Sequence, residues 1–320
     1  MATVDQIKAL IKAHNEQDNE KFKTIALQIA AYEARLGHSN NARALKVLID
    51  KGSSVSRVMK FNQPNSLLIM ITPTERLSDL ICSPELRKRI VRILEEFVQR
   101  EKLHHYGLAN RRKILLEGAS GTGKTMTASI IATELDLPLF LVQADKLVTK
   151  YMGETSSKLR QVFDSIEEIR GVYLFDEFDA IGADRGIDNE VGEMRRVLNS
   201  FLQFLEQDQS DSIIIAATNN QKILDKALFR RFDDVLHYAY PTAGEVKELY
   251  RAKLTLFDPK FRPSNLLVER SVSLSQAEIS RICDDAIKQS ILTKLPVGED
   301  MLLKAVSERL DVYDREAYGN

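Results

Sequence analysis

Cysteine is nearly missing from this chain. Cys82 and Cys283 stand far apart and without CxxC spacing, which excludes a disulfide framework or a zinc site and suits a reducing cytoplasm. An excess of either charge is missing too. The 45 Lys and Arg against 46 Asp and Glu leave a net −1, which argues against a general binder of nucleic acid or membrane surfaces. No apolar run is long enough to span a bilayer, and Met1-Ala2-Thr3-Val4-Asp5 does not open like a signal peptide, so the expectation is a cytoplasmic protein without a membrane contact. Internal repeats, low-complexity tracts and protease motifs of the HExxH or GxSxG kind are absent. What remains is a globular composition, and 320 residues exceed one typical domain, so two or three units are expected.

The stretch around which the chain is organised is Gly118-Ala119-Ser120-Gly121-Thr122-Gly123-Lys124-Thr125. Apolar Ile114-Leu115-Leu116 precedes it and a helical pattern from Met126 to Leu135 follows. Glycines let backbone N–H groups curl around an anion, and the helix offers its positive end. Lys124 is expected to reach the β- and γ-phosphates and Thr125 to ligate Mg²⁺. The nucleotide cradle is taken to run from Gly118 to Met126.

From Lys113 onward, short apolar runs alternate with helical patterns. The candidate strands are 114–117, 139–143, 172–175, 213–217 and 235–238, which predicts a five-stranded parallel α/β sheet covered by helices on both faces. In such sheets ligands bind at the carboxyl ends of strands. Two further strand tips carry chemistry. Val172-Tyr173-Leu174-Phe175 ends in Asp176 and Glu177; Asp176 can hold Mg²⁺ through water and Glu177 can polarise the attacking water. The run 213–217 ends in Thr218 and Asn219, where a neutral amide can orient that water or contact the γ-phosphate without adding charge.

On either side of the sheet the pattern is helical. Residues 3–50 read as three short helices of an N-terminal domain 1–55, with Phe22, Ile25, Ala26 and Ile29 on one face, forming a small bundle that is either a structural appendage or, the favoured reading, a docking module. Residues 56–75 read as a linker punctuated by Pro64 and Pro73, within which Leu67 to Ile71 packs as an extended segment. A charged helix follows from Pro84 to about His104; its Arg87-Lys88-Arg89 cluster could meet nucleic acid but reads better as a solvated face. The α/β nucleotide-binding domain is placed at 76–240. After Pro241 the strand signals stop, and helical patterns cover 243–256, 275–292 and 300–310, so residues 241–320 read as a second, all-helical lid.

The carboxylates Asp176-Glu177, then Ala217-Thr218-Asn219, then Asp225-Lys226-Ala227-Leu228-Phe229-Arg230-Arg231-Phe232-Asp233 resemble the AAA branch of the AAA+ ATPases. The adjacent Arg230 and Arg231 before Phe232 look like the pattern of katanin, spastin and their relatives. The resemblance covers roughly residues 76–310. It implies ATP and Mg²⁺ as cofactors, ATP hydrolysis, and a homo-oligomeric ring of six subunits. In that family the two arginines reach the γ-phosphate of a neighbouring subunit, a role that suits a planar, permanently charged guanidinium. Lys150-Tyr151-Met152-Gly153-Glu154 resembles the family's first pore loop. In the family that loop grips unfolded polypeptide; Tyr151 and Met152 supply area and Gly153 supplies mobility. Gly182 to Arg196 resembles the second pore-loop region. Ser275-Gln276-Ala277-Glu278-Ile279 is similar to the second sensor, with Ala277 where distant relatives carry arginine. The chain departs from the family in reading Gly-Ala-Ser-Gly for the commoner Gly-Pro-Pro-Gly. Its N-terminal helices resemble the substrate-recruiting domains of katanin-like proteins by architecture only.

The resulting expectation is a protein-remodelling motor that threads clients through a ring, the N-terminal helices recruiting them. Three rivals stand beside it. An unfoldase serving a separate protease is the nearest. A nucleic-acid motor or clamp loader would want a basic channel where this chain offers Tyr151 and Met152. A non-enzymatic scaffold would have no use for Glu177, Asn219 and both arginines.

Overall fold

The computed structural model describes residues 25, 26, 29, 66–147, 154–178, 190–219, 229–255 and 257–318. The chain divides into two compact units, Met1–Pro64 and Asn65–Asn320. Of the first, Ile25, Ala26 and Ile29 are helical and Ala26 is buried; the remainder of the expected N-terminal helices lies outside the described residues.

The second unit opens with strand β1 (Leu68–Ile71), a 3-10 turn (Leu77–Asp79), and helices α1 (Pro84–Val98) and α2 (Arg100–His105). The α/β part follows as β2 (Lys113–Gly118), α3 (Lys124–Glu134), β3 (Leu139–Val142), α4 (Ala144–Leu147), α5 (Glu154–Glu168), β4 (Val172–Phe175), α6 (Glu190–Gln207), β5 (Ile213–Thr218) and β6 (Asp234–Tyr238). Helices α7 (Ala243–Leu254), α8 (Asn265–Ser271), α9 (Gln276–Thr293) and α10 (Glu299–Tyr318) complete it.

The strands form one sheet in the order β1-β3-β4-β5-β2-β6. The five expected strands all pair in parallel, because each connection passes over a face of the sheet. Strand β1 adds an antiparallel edge, Leu68 opposite Val142 and Ile71 opposite Leu139. Four apolar residues between prolines do not distinguish an edge strand from packed coil by periodicity. The remaining exposure of Ile69 and Met70 is that of a strand bonded on one side.

Each face of the sheet has its own packing. On one, Ile114, Leu116, Leu174 and Ile215 meet α1 and α3. Helix α1 presents Leu86, Ile90, Ile93 and Phe97, spaced for one helical stripe, and burying each is worth about 2 kcal/mol. Its start is set by Pro84 at the first turn and by Ser83, whose Oγ accepts from the Leu86 N–H. On the other face Phe175 of β4 stacks on Phe163 of α5, and both meet Phe201 of α6 edge to face. A separate core joins α7, α8, α9 and α10 through Tyr250, Leu267, Ile282 and Leu302. Among the described residues, no helix is long and apolar enough to cross a membrane.

Candidate functional site

The glycine loop joins the end of β2 to the start of α3, and its backbone explains its composition. Gly121 has φ +75° and Gly123 φ +102°, left-handed conformations that side chains disfavour by roughly 1–2 kcal/mol. Contact reinforces conformation. A Cβ on Gly118 would lie 2.1 Å from the Tyr238 carbonyl oxygen, and one on Gly121 would lie 2.6 Å from Ser275 Oγ. The loop is therefore pressed between β6 and the first turn of α9, and the Ala277 N–H donates to the Gly121 carbonyl at 2.9 Å.

Lys124 is buried, and its ammonium donates to the carbonyls of Gly118 and Ala119 and to Asn219 Oδ1 at 2.7–2.8 Å. Those bonds place one positive charge between the tips of β2 and β5. Thr122 Oγ1 donates to the Ala119 carbonyl at 2.8 Å and closes the loop on itself. Thr125 Oγ1 donates to Asp176 Oδ2 at 2.7 Å, bringing the first turn of α3 against the tip of β4. Asp176 Oδ1 accepts from the Glu177 N–H at 2.9 Å. Glu177 has φ +48°, an uncommon conformation for a residue with a side chain and one that collects at functional sites. Parallel register carries these tips to one edge: Phe175 is opposite Ala216, and Glu117 is opposite Thr218. The sheet thus brings together Lys124, Thr125, Asp176, Glu177 and Asn219.

A cleft of about 580 Å³ opens over this edge. The phosphate loop forms one wall; Leu80 and Ile81 ahead of α1, Leu249 and Lys253 of α7, and Gln276 and Ser280 of α9 line the rest. Of these, sequence pointed only to Gln276, through the stretch similar to a second sensor. The others come from three separate segments of ordinary composition, and only their convergence distinguishes them. Tyr238, at the end of β6, donates its hydroxyl to Thr127 Oγ1 at 2.6 Å and ties that strand to α3. Burial pushes its pKa up, so the donor keeps its proton.

Arg230 and Arg231 lie elsewhere. They precede β6 and therefore stand at the amino end of the sheet, with Arg230 exposed. Arg231 Nε is paired with Glu206 Oε1 of α6 at 2.6 Å. The pore-loop residues Tyr151, Met152 and Gly153 lie outside the described residues, as does 182–189 of the second pore-loop region.

The cradle fits a magnesium nucleotide. Three positive-φ glycines shape the loop without side chains, a lysine supplies charge, and Thr125 with Asp176 presents the hard oxygen donors that Mg²⁺ prefers. Such a glycine loop, with carboxylates on an adjacent strand of a parallel sheet, defines a P-loop nucleotide hydrolase. The ATPase family associated with various cellular activities (AAA) matches residues 114–240. An uncharacterized AAA family ATPase of Sinorhizobium fredii is 32% identical over 92% of this chain and 91% of its own length. A putative 26S proteasome regulatory subunit homolog of Methanocaldococcus jannaschii is 31% identical over 62% of this chain, and the ATP-dependent zinc metalloprotease FtsH 3 of Sphaerobacter thermophilus is 28% identical over 82%. The chain spans about half the length of these last two. It belongs to the AAA family and is an ATPase. These relatives support the family and leave the katanin and spastin branch resting on the arginine pair.

Proposed function

We propose that the chain is an ATP-driven protein-remodelling motor working in the cytoplasm as a ring, most simply of six copies, in which Arg230 and Arg231 of one copy complete the site of the next. The observation that carries this reading is the distance between those arginines and the cleft of their own chain. Strand β6 spans Asp234 to Tyr238; at about 3.3 Å per residue its two ends are on the order of 13 Å apart. The arginines lie before its start, whereas the loop is packed against its end. Among the described residues lining the cleft there is no arginine, which supports the reading that the guanidinium at the γ-phosphate is supplied by another copy.

Within the site, backbone N–H groups from Gly118 to Met126 and the Lys124 ammonium would hold the phosphates, and Thr125 and Asp176 would hold Mg²⁺, Asp176 through water. Mg-ATP supplies the anhydride bond and the cation that neutralises its leaving oxygens. Glu177, which lines the cleft with a left-handed backbone, orients and polarises the attacking water. Asn219, already bonded to Lys124, holds the far side of the same volume without adding negative charge. The arginine pair before Phe232 also supports the finer placement near katanin and spastin.

Remodelling is assigned to the sequence Tyr151-Met152-Gly153, which would grip a client in the channel, with residues 1–55 as its recruiting module. The test is Tyr151→Ala in the full chain. ATP turnover and melting temperature should hold while ATP-dependent unfolding of a tagged model client disappears. A variant that still unfolds the client removes the threading reading. A second reading, an unfoldase serving a separate protease, is favoured by the similarity to a metalloprotease and to a proteasome regulatory-subunit homolog.

A further inference from the structure

The residue that follows the arginine pair and Phe232 is bonded across the chain to the start of β2. Asp233 Oδ2 accepts from the backbone N–H groups of both Arg112 and Lys113, each at 2.9 Å. Its own N–H donates to the Lys113 carbonyl at 2.7 Å. The β2–β6 ladder begins one step later, with Ile114 opposite Asp234. The carboxylate therefore stands in for strand carbonyls that β6 does not extend far enough to offer. Bonds of an ionised acceptor to N–H donors are about twice as strong as neutral ones.

We propose that Asp233 is a positioning residue that sets the direction in which Arg230 and Arg231 are presented to a second copy of this chain. The inference rests on the reading of those arginines as acting between copies. Phe232, buried beside the clamp, and Asp233 together fix the turn, leaving Arg231 two residues from its anchor. The start of β6 does not depend on Asp233 alone, because Asp234 is paired separately with Arg89 and Arg111. Loosening the Asp233 clamp should therefore free the arginine turn while β6 stays in the sheet. Misplacing a catalytic group by about 1 Å can cost about a hundredfold in rate.

The experiment uses full-length chains carrying Asp233→Ala, Asp233→Asn, Arg231→Ala or Glu177→Gln, alone and mixed, with ATP turnover, ATP affinity and melting temperature measured on each. Asp233→Ala alone should lose about a hundredfold in kcat with ATP affinity kept. Mixing it with Glu177→Gln chains should restore turnover, because those chains carry a correctly held arginine pair to an Asp233→Ala site that is itself intact. A merely structural role gives no such rescue. Asp233→Asn keeps one oxygen able to accept both N–H groups but, as a neutral acceptor, holds them about half as strongly, so its kcat should fall by less than that of Asp233→Ala while staying clearly below the parent's.

If Arg231→Ala is rescued by Glu177→Gln and Asp233→Ala is not, the positioning role is overturned while action between copies stands. If neither is rescued in rings shown to be mixed, action between copies fails and the positioning role with it. If Asp233→Ala does not fold, Asp233→Asn decides. A lowered kcat with ATP affinity kept, restored by Glu177→Gln chains, supports the proposal; a parent-like kcat makes Asp233 a stability residue only and overturns it.

Discussion

At the carboxyl end of β2 the bonded polar groups line a cleft, whereas at its amino end they are bonded to one another outside that cleft. The first end holds Lys124, Asp176, Asn219 and a left-handed Glu177 around a volume open to ligand. At the second, Arg112 pairs with the buried Asp208 and also donates to its carbonyl at 2.5 Å, Asp233 takes two backbone N–H groups, and Arg231 leans on Glu206. One strand thus joins a region kept ready for substrate to a region that secures its own charges. A residue's chemistry alone does not indicate its role: Asp176 and Asp208 are both carboxylates near strand ends, and their surroundings set them apart.

The comparison can be broken first at the amino end. Arg112→Ala would strand Asp208, whose side chain is 1% exposed, and losing one partner of such a pair costs about 3 kcal/mol or more. Urea unfolding should show that loss, while ATP affinity of the folded fraction stays near the parent's. A parallel collapse of affinity would mean that the two ends are not separable.

At the carboxyl end, Glu177→Gln should slow turnover by about a hundredfold or more, equivalent to about 2.7 kcal/mol of barrier. Its melting temperature should not fall, because Glu177 contributes its backbone N–H, and not its carboxylate, to the Asp176 bond. Single-turnover hydrolysis and a melt on one preparation check both halves; parent-like hydrolysis would remove Glu177 from the site.

A smaller effect is expected at Tyr238, where the β6 end of the cleft is tied to α3. Tyr238→Phe deletes the bond to Thr127 Oγ1, worth about 1 kcal/mol, and should lower the unfolding midpoint slightly with ATP turnover retained. No change in the midpoint would mean that the strand end is held by packing alone.

The smallest effect concerns pH. The Ser129 hydroxyl bonded to Glu75 is the largest influence on that carboxyl and holds it below its ordinary 4.5. A depressed carboxyl contributes stability above its unfolded value and loses it as pH falls through the folded one. Ser129→Ala should therefore be less stable than the parent at neutral pH, with the gap closing in acid. A gap that widened on acidification would reverse the sign.

Local signals were enough where one short segment carries its own meaning. Glycines at 118, 121 and 123 follow an apolar run and precede a helix, and both conformation and contact require them. Strand β4 reads directly from four apolar residues ending in two carboxylates. Helix α8, seven residues long between Pro263 and Ser273, went unread because two turns are too short to show a period. The lysine–asparagine contact joins residues 95 positions apart, and Asp233 reaches back 120 and 121 positions; no window along the chain contains such pairs.

The sequence by itself determined the alternation of strands and helices along the chain, the phosphate loop and the acidic strand tip, because each depends on backbone sterics and burial within a few neighbouring residues. Tertiary structure alone decided that Leu80, Lys253 and Gln276 share a cleft, that β1 closes an edge, and that Arg231 stands at the opposite end of the sheet from Lys124. Those facts depend on strand order and register, which arise when distant apolar faces are buried together.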